Sequence, residues 1–197
     1  MFTHVNVGKD KNIIRERFEE GLKILNDEMF FITVDFLGYY ICSLFNTSFS
    51  ASDCCNTVET LENIFQIPQT NKYIKMENST ELENIFNTQK NTFYNFKVMP
   101  KGLPFHTFVI IKYKNNWYML QSFFGICGLH VNEDINIPKI LFEYLDSPTI
   151  SRFNQLFGTD LANPSYISSP NMKVSYHEFE KLPTEHLISL INKFLQK

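Results

Sequence analysis

Cys54 stands at the predicted first turn of a helix, where a thiol can become a nucleophile. The segment Asn46 to Asp53 before it is polar, and Ser52 or Asp53 is a suitable N-cap. Backbone N–H groups and the positive end of the helix dipole favour a thiolate there. A helix end contributes only about 0.3–1 kcal/mol at exposed sites, whereas one pKa unit takes about 1.36 kcal/mol. A catalytic Cys54 therefore needs a histidine nearby.

His106 is the best candidate for this base, because it lies at the start of the predicted strand Phe105 to Tyr113. An imidazole at the mouth of a strand can reach a helix end packed against the sheet, take the thiol proton and return it to a leaving group. The predicted partner strand, Trp117 to Phe123, contains Gln121. In an antiparallel hairpin the end of the second strand lies beside the start of the first. We therefore expect the Gln121 carboxamide to orient the His106 imidazole.

The order of these three residues resembles the papain-like superfamily of cysteine hydrolases. The segment His106 to Ser122 looks like the hairpin of its transglutaminase-like and toxin-type members, and Asp53-Cys54 is similar to the Asp-Cys dipeptide of the NlpC/P60 branch. The likeness covers residues 52–122. It implies an α+β fold in which the nucleophile-bearing helix packs on a central antiparallel β-sheet with flanking helices. It also implies hydrolysis or acyl transfer at an amide, isopeptide or ester bond through a thioester intermediate.

The sequence departs from that family pattern at two places. Gln121 stands where many relatives have Asp or Asn, and no clear oxyanion-hole Gln lies upstream. Asn46, Ser52 or a backbone N–H at the helix start could supply the oxyanion donor, and Trp117 and Phe123 could line the cleft. The departures keep two alternatives open. One is a catalytically inactive papain-like domain that serves binding or assembly, for example in a virus, and the other is an unrelated α+β interaction module.

Cys55 competes with Cys54 as the nucleophile. The residues four, seven and eleven positions after Cys54 are Val58, Leu61 and Phe65, which form one consistent helix face. We take this pattern to favour Cys54 as the thiol that faces the cleft, with Cys55 buried under the helix.

Zinc binding is the rival chemistry for the cysteines. Cys127 and His130 have C-x-x-H spacing, and Cys54 with Cys55 could complete a site. Adjacent cysteines rarely bind one tetrahedral ion together, so we expect no metal and no cofactor. The chain also lacks a P-loop, a dinucleotide fingerprint, HExxH and GxSxG.

The composition predicts one globular domain. The chain has 197 residues, of which 44% are hydrophobic and 15% aromatic. We divide it into an N-terminal helix and strands (1–45), a catalytic core (46–131) and a C-terminal helical extension (132–197). The net charge of −3 gives no reason to expect nucleic acid or an anionic membrane as partner. A peptide, a protein or a small amide or ester is the expected substrate, and the oligomeric state stays open.

The N-terminus lacks a signal-peptide pattern, and the most apolar stretch, Met29 to Phe45, is short and interrupted by Asp35. We read that stretch as buried strand and expect a cytoplasmic protein, in the host cytoplasm or the virion if it is viral.

Periodicity predicts the remaining elements. Helices are expected at 11–26, 54–65, 80–87, 140–145, 150–157 and 184–195, and strands at 30–36, 39–45, 73–76, 93–98, 105–113, 117–123 and 172–177. Asn78 is the expected N-cap of the helix at 80–87, with Glu81 as in a capping box, and residues 114–116 are expected to form a tight hairpin turn in which Asn can take a positive φ. Glu59 and Glu62 are expected on a solvated helix face, and His186 on the surface. These segregated helices and meandering strands favour an antiparallel α+β arrangement over a doubly wound sheet.

Overall fold

The computed structural model describes residues 11–27, 29–31, 33–34, 53–68, 72–98, 106–114, 116–120 and 172–196. The helices are α1 (Lys11–Lys23), α2 (Asp53–Ile64), α3 (Ser79–Phe86) and α4 (Thr184–Leu195). The strands are β1 (Ile74–Lys75), β2 (Asn91–Val98), β3 (His106–Tyr113), β4 (Asn116–Leu120) and β5 (Lys173–Phe179). The helices predicted at 140–145 and 150–157 and the strand at 39–45 lie outside the described residues.

These five strands form one sheet in the order β1-β5-β2-β3-β4, and each described pair is antiparallel. β5 comes late in the chain, yet it lies between β1 and β2. Its register with β2 runs from the pair Asn91–Phe179 to the pair Lys97–Lys173. The C-terminal segment therefore supplies an interior strand of the sheet. The chain has an α+β fold with an antiparallel sheet, as the sequence predicts.

Alternate residues of the strands form two separate apolar clusters, because successive side chains point to opposite faces of a sheet. On one face, called the α2 face, the cluster comprises Phe93, Val109, Ile111, Tyr113, Tyr118 and Leu120 of the sheet, Phe18 of α1, Val58, Leu61 and Ile64 of α2, and Leu187 and Ile191 of α4. On the other, called the α3 face, Tyr94, Phe96, Val98, Phe108, Ile110 and Val174 pack against Leu82 and Phe86 of α3. Burial of these two clusters fixes α2 and α3 on opposite sides of the sheet.

The start of α3 is capped as the sequence predicts. The Oδ1 atom of Asn78 accepts a hydrogen bond from the backbone N–H of Glu81 at 3.0 Å. The Glu81 carboxylate in turn accepts one from the backbone N–H of Glu77 at 2.8 Å. This reciprocal arrangement satisfies donors that a helix start otherwise leaves without a partner.

The strand predicted at residues 30–36 is wrong for the residues described there. Phe30, Phe31, Thr33 and Val34 are helical and buried. Asn26 begins this turn, because its Oδ1 accepts from the backbone N–H of Met29 at 2.9 Å and its backbone oxygen accepts from Phe30 at 2.8 Å. The β-branched and aromatic composition favoured a strand, but helical packing of the aromatic rings outweighs that preference.

The predicted hairpin between β3 and β4 is confirmed. Its register runs from the pair Tyr113–Asn116 to the pair Val109–Leu120. Lys114 takes a positive φ of 48° at the turn. The tight turn predicted at residues 114–116 joins the two strands, and Asn115 lies outside the described residues.

Candidate functional site

The two adjacent cysteines lie in the first turn of α2 and occupy different environments. Cys54 is only 3% exposed, because it lies on the same helical stripe as Val58 and Leu61, which packs on the sheet. Cys55 is exposed and follows the polar side of the helix, with Glu59 one turn further on. The prediction that Cys54 faces the cleft is therefore wrong. The apolar face that was read as favouring Cys54 is the face that the fold buries.

The surroundings of Cys55 disfavour its ionised form. Partial burial raises the pKa of the Cys55 thiol, and the neighbouring Cys54 and the Glu59 carboxylate raise it further. The Lys97 ammonium acts in the opposite direction and is the smaller influence. At neutral pH the Cys55 thiol is therefore protonated, and nucleophilic chemistry at this residue requires a base.

β3 begins at His106, as predicted, and its backbone register places this position at one end of the sheet. His106 pairs with Val98 of β2. The residue before Val98 is Lys97, which lies close enough to Cys55 for its charge to lower the pKa of the thiol. The start of β3 and the start of α2 therefore lie at the same end of the sheet. Val98 belongs to the cluster on the α3 face, and strand alternation assigns position 106 to that face as well.

None of the other predicted site residues is placed beside the cysteines in the described part of the chain. Asn46, Ser52, Gln121 and Phe123 lie outside the described residues. The described β3–β4 ladder ends at the pair Val109–Leu120, three residues short of His106. Trp117 stacks on Phe86 with 4.9 Å between ring centroids, so it lies on the α3 face and not beside the cysteines.

A polar groove that the sequence did not predict runs along α2. It has a volume of about 1010 Å³ and lies over the β2 and β5 strands on the α2 face. Its lining includes Glu59, Thr60, Glu62, Asn63, Gln66, Ile67, Pro68, Tyr73, Lys97, Ser175 and His186. Cys55 is not one of these lining residues, but it precedes Glu59 by one helical turn on the exposed side of α2.

α2 forms the wall of the groove, and strands β2 and β5 form its floor. A hydrogen-bond network joins the wall to the floor. Asn95, 1% exposed, donates its side-chain N–H to the Glu62 carboxylate at 2.6 Å. The Thr107 hydroxyl lies 3.1 Å from the Asn95 oxygen and 2.7 Å from the backbone oxygen of Phe96. Glu62 was expected on a solvated face, and this expectation is wrong because the carboxylate holds α2 against the sheet.

A second cluster of polar residues, Tyr73, Lys97 and Ser175, lies beside this network. The Lys97 ammonium lies 3.9 Å from the centre of the Tyr73 ring, and the Tyr73 hydroxyl is hydrogen-bonded to both Lys97 and Ser175. Burial raises the pKa of Tyr73, although both hydrogen bonds and the Lys97 charge lower it. Ser175 of β5 pairs in register with Asn95 of β2, so the Tyr73 cluster and the Asn95 network are neighbours on adjacent strands.

His186 of α4 also lines the groove and does not lie fully on the surface as predicted. Within the described residues its Nε2 atom is buried and has no hydrogen-bond partner. A buried polar atom without a partner is costly, and a ligand is one means of satisfying it.

Replacing Asn95 by alanine is expected to lower the free energy of unfolding by about 1–3 kcal/mol, because the Glu62 carboxylate then loses its donor. Urea denaturation of the purified variant measures this change. The matched control is Asn63→Ala, an exposed asparagine of α2, which is expected to change stability by less than about 0.5 kcal/mol. Equal effects of the two substitutions would show that the network contributes nothing.

The described residues contain no group of three or more His, Cys, Asp or Glu side chains that could hold a metal ion. The zinc spacing considered above involves Cys127 and His130, which lie outside those residues.

Among the helices of the described part, none combines the length and the apolar character needed to span a bilayer.

Comparisons with protein-family models, with curated proteins and with solved structures found no match to this chain. The described part of the chain is an α+β structure with a five-stranded antiparallel sheet. Two cysteines lie in the first turn of α2, and a polar groove runs along the same helix.

Proposed function

We propose that this chain is a cysteine-dependent hydrolase or acyltransferase of papain-like type that uses Cys55, the exposed thiol at the start of α2, as its nucleophile. One observation carries the proposal: the first turn of a helix packed on an antiparallel sheet presents an exposed thiol, one helical turn before Glu59 of the polar groove. The start of β3 at the same end of the sheet supports it, because the candidate base His106 begins that strand.

The reaction follows from the chemistry of a thiol. The base takes the Cys55 proton, and the sulfur attacks the carbonyl carbon of an amide, isopeptide or ester. The bond to the leaving group breaks, and the base returns its proton to the departing amine or alcohol. Water or an acceptor amine then attacks the thioester and releases the thiol. Backbone N–H groups at the start of α2 are suited to stabilise the oxyanion of each tetrahedral intermediate.

His106 acts as the base in this proposal, and Gln121 orients its ring. A base is indispensable here because burial, Cys54 and Glu59 together keep the Cys55 thiol protonated. Since position 106 alternates onto the α3 face, the mechanism requires the imidazole to reach around the end of the sheet towards α2.

A catalytically inactive domain of the same type, which binds or assembles through the groove, is the second candidate function. Two observations favour it: Cys54 is buried in the core, and the pKa of Cys55 is raised rather than lowered. An activated cysteine normally shows the opposite shift.

Reaction with p-nitrophenyl acetate, a simple acyl donor, separates the two functions. The enzyme is expected to release a burst of nitrophenolate and to retain one acetyl group, which intact-protein mass spectrometry detects and peptide mapping assigns to Cys55. Cys55→Ala is expected to lose both the burst and the adduct, because the accepting sulfur is gone.

The matched control is Cys54→Ala, which removes the neighbouring buried thiol and is expected to keep the burst. A protein that remains unacetylated, or an adduct found on lysines alone, would leave the binding function as the better account.

A further inference from the structure

We propose that the groove binds an extended polypeptide segment and that Glu59 selects a lysine or arginine side chain in it. The inference deepens the proposed function by naming the substrate class, and the peptide binding it predicts is measurable without catalysis.

The floor of the groove is polar although it is buried. Asn95 and Ser175 are 1% and 2% exposed, and they project from interior strands onto a face that is otherwise packed with apolar side chains. Burial of polar side chains opposes folding unless each finds a partner. At this floor the partners are the groove residues Glu62 and Tyr73.

The lining suits the main chain of a peptide, which presents donors and acceptors in alternation. Carboxylates and side-chain carbonyls supply acceptors, while hydroxyl, amide and ammonium groups supply donors. The exposed polar groups along the groove are Glu59, Asn63 and Gln66, while Tyr73, Lys97 and Ser175 lie deeper and contact one another. His186 also lines the groove, and its buried Nε2 atom has no hydrogen-bond partner among the described residues.

Charge favours a cationic side chain near Cys55. Among the described residues, two carboxylates and one ammonium group line the groove, and two of these groups are already engaged: Glu62 by Asn95, and Lys97 by Tyr73. Glu59 is exposed and lies one turn from Cys55. At the thiol, the influence of Glu59 exceeds that of Lys97. The groove entrance therefore has a negative field that attracts lysine or arginine.

A bound cation has a consequence for the thiol. A lysine or arginine beside Glu59 offsets the carboxylate that raises the pKa of Cys55. The bound cation therefore weakens one of the influences that keep the thiol protonated, while burial, the largest of them, remains.

Fluorescence anisotropy on the Cys55→Ala protein tests the binding. The probe is a fluorescein-labelled alanine–glycine peptide with a single arginine, compared with the same peptide carrying glutamine or glutamate instead. The arginine peptide is expected to bind about fivefold more tightly than the glutamine peptide, the ratio that an ion pair of about 1 kcal/mol gives. Glu59→Gln is expected to abolish that ratio.

The matched control is Glu180→Gln, which removes an exposed carboxylate just beyond the other end of β5 and is expected to keep the fivefold preference. Equal binding of the three peptides, tighter binding of the glutamate peptide, or a preference that survives Glu59→Gln would each overturn the proposal. Because the protein used lacks the Cys55 thiol, these results are independent of whether the chain is an enzyme.

Discussion

Replacing His106 by alanine is expected to slow acetylation of Cys55 by p-nitrophenyl acetate about 10²–10⁴-fold, the usual contribution of a positioned general base. The effect is large because burial, Cys54 and Glu59 raise the pKa of Cys55 more than the Lys97 charge lowers it. The remaining reactivity is expected to increase only at alkaline pH, as the thiol ionises without help. Stopped-flow detection of nitrophenolate over a range of pH measures both effects.

His177→Ala is the matched control. This histidine is partly exposed on β5 and pairs with Phe93, away from the end of the sheet where β3 begins. Its replacement is expected to leave the rate of acetylation unchanged. An equal rate for the His106→Ala and wild-type proteins would remove His106 from the mechanism and agree with its alternation onto the α3 face.

Replacing Phe65 by alanine is expected to lower the free energy of unfolding by about 3–5 kcal/mol, the usual cost for a buried phenylalanine. Phe65 follows α2 directly and is 5% exposed. Its ring packs on Phe30, Phe93 and Phe179 at centroid distances of 5.8, 5.1 and 5.2 Å. Since these contacts join α2 to the sheet and to the helical residues 29–31, their loss is expected to weaken the positioning of Cys55 as well.

Chemical denaturation measures the change, and Phe65→Leu is the matched variant. Leucine keeps most of the apolar volume and is expected to cost clearly less than alanine. A loss below about 1 kcal/mol for Phe65→Ala would contradict the packing of α2 on the sheet.

The sequence predicted the elements whose signals are local. The N-cap at Asn78, the amphipathic pattern of α4 and the alternation along β3 each depend on residues within a few positions of one another. The turn at residues 114–116 likewise lies between the two strands that it joins. The structure confirms all of these elements.

The insertion of β5 between β1 and β2 was not predictable in this way, because the pairing joins segments about 80 residues apart with no local signal. The helical turn that contains Phe30 and Phe31 had a signal that was overlooked. Asn26 is a good N-cap residue, and Phe30, Phe31 and Val34 repeat at helical spacing.

The candidate site was predicted in part. Sequence placed a cysteine at a helix start and a histidine at a strand start, and the register brings those two positions to one end of the sheet. Sequence chose Cys54 because its stripe is regular, but a regular apolar stripe indicates burial. The groove was missed because its wall and floor come from Glu62, Asn95 and Ser175, which only the tertiary fold brings together.

Residue-by-residue mapping of iodoacetamide labelling at neutral pH tests most directly whether Cys55 is an assisted nucleophile. We expect Cys55 to be alkylated before Cys54 and faster than free cysteine, with the excess rate lost in His106→Ala. If Cys55 reacts no faster than free cysteine, or if Cys54 is labelled first, then the thiol at the start of α2 is not a catalytic nucleophile.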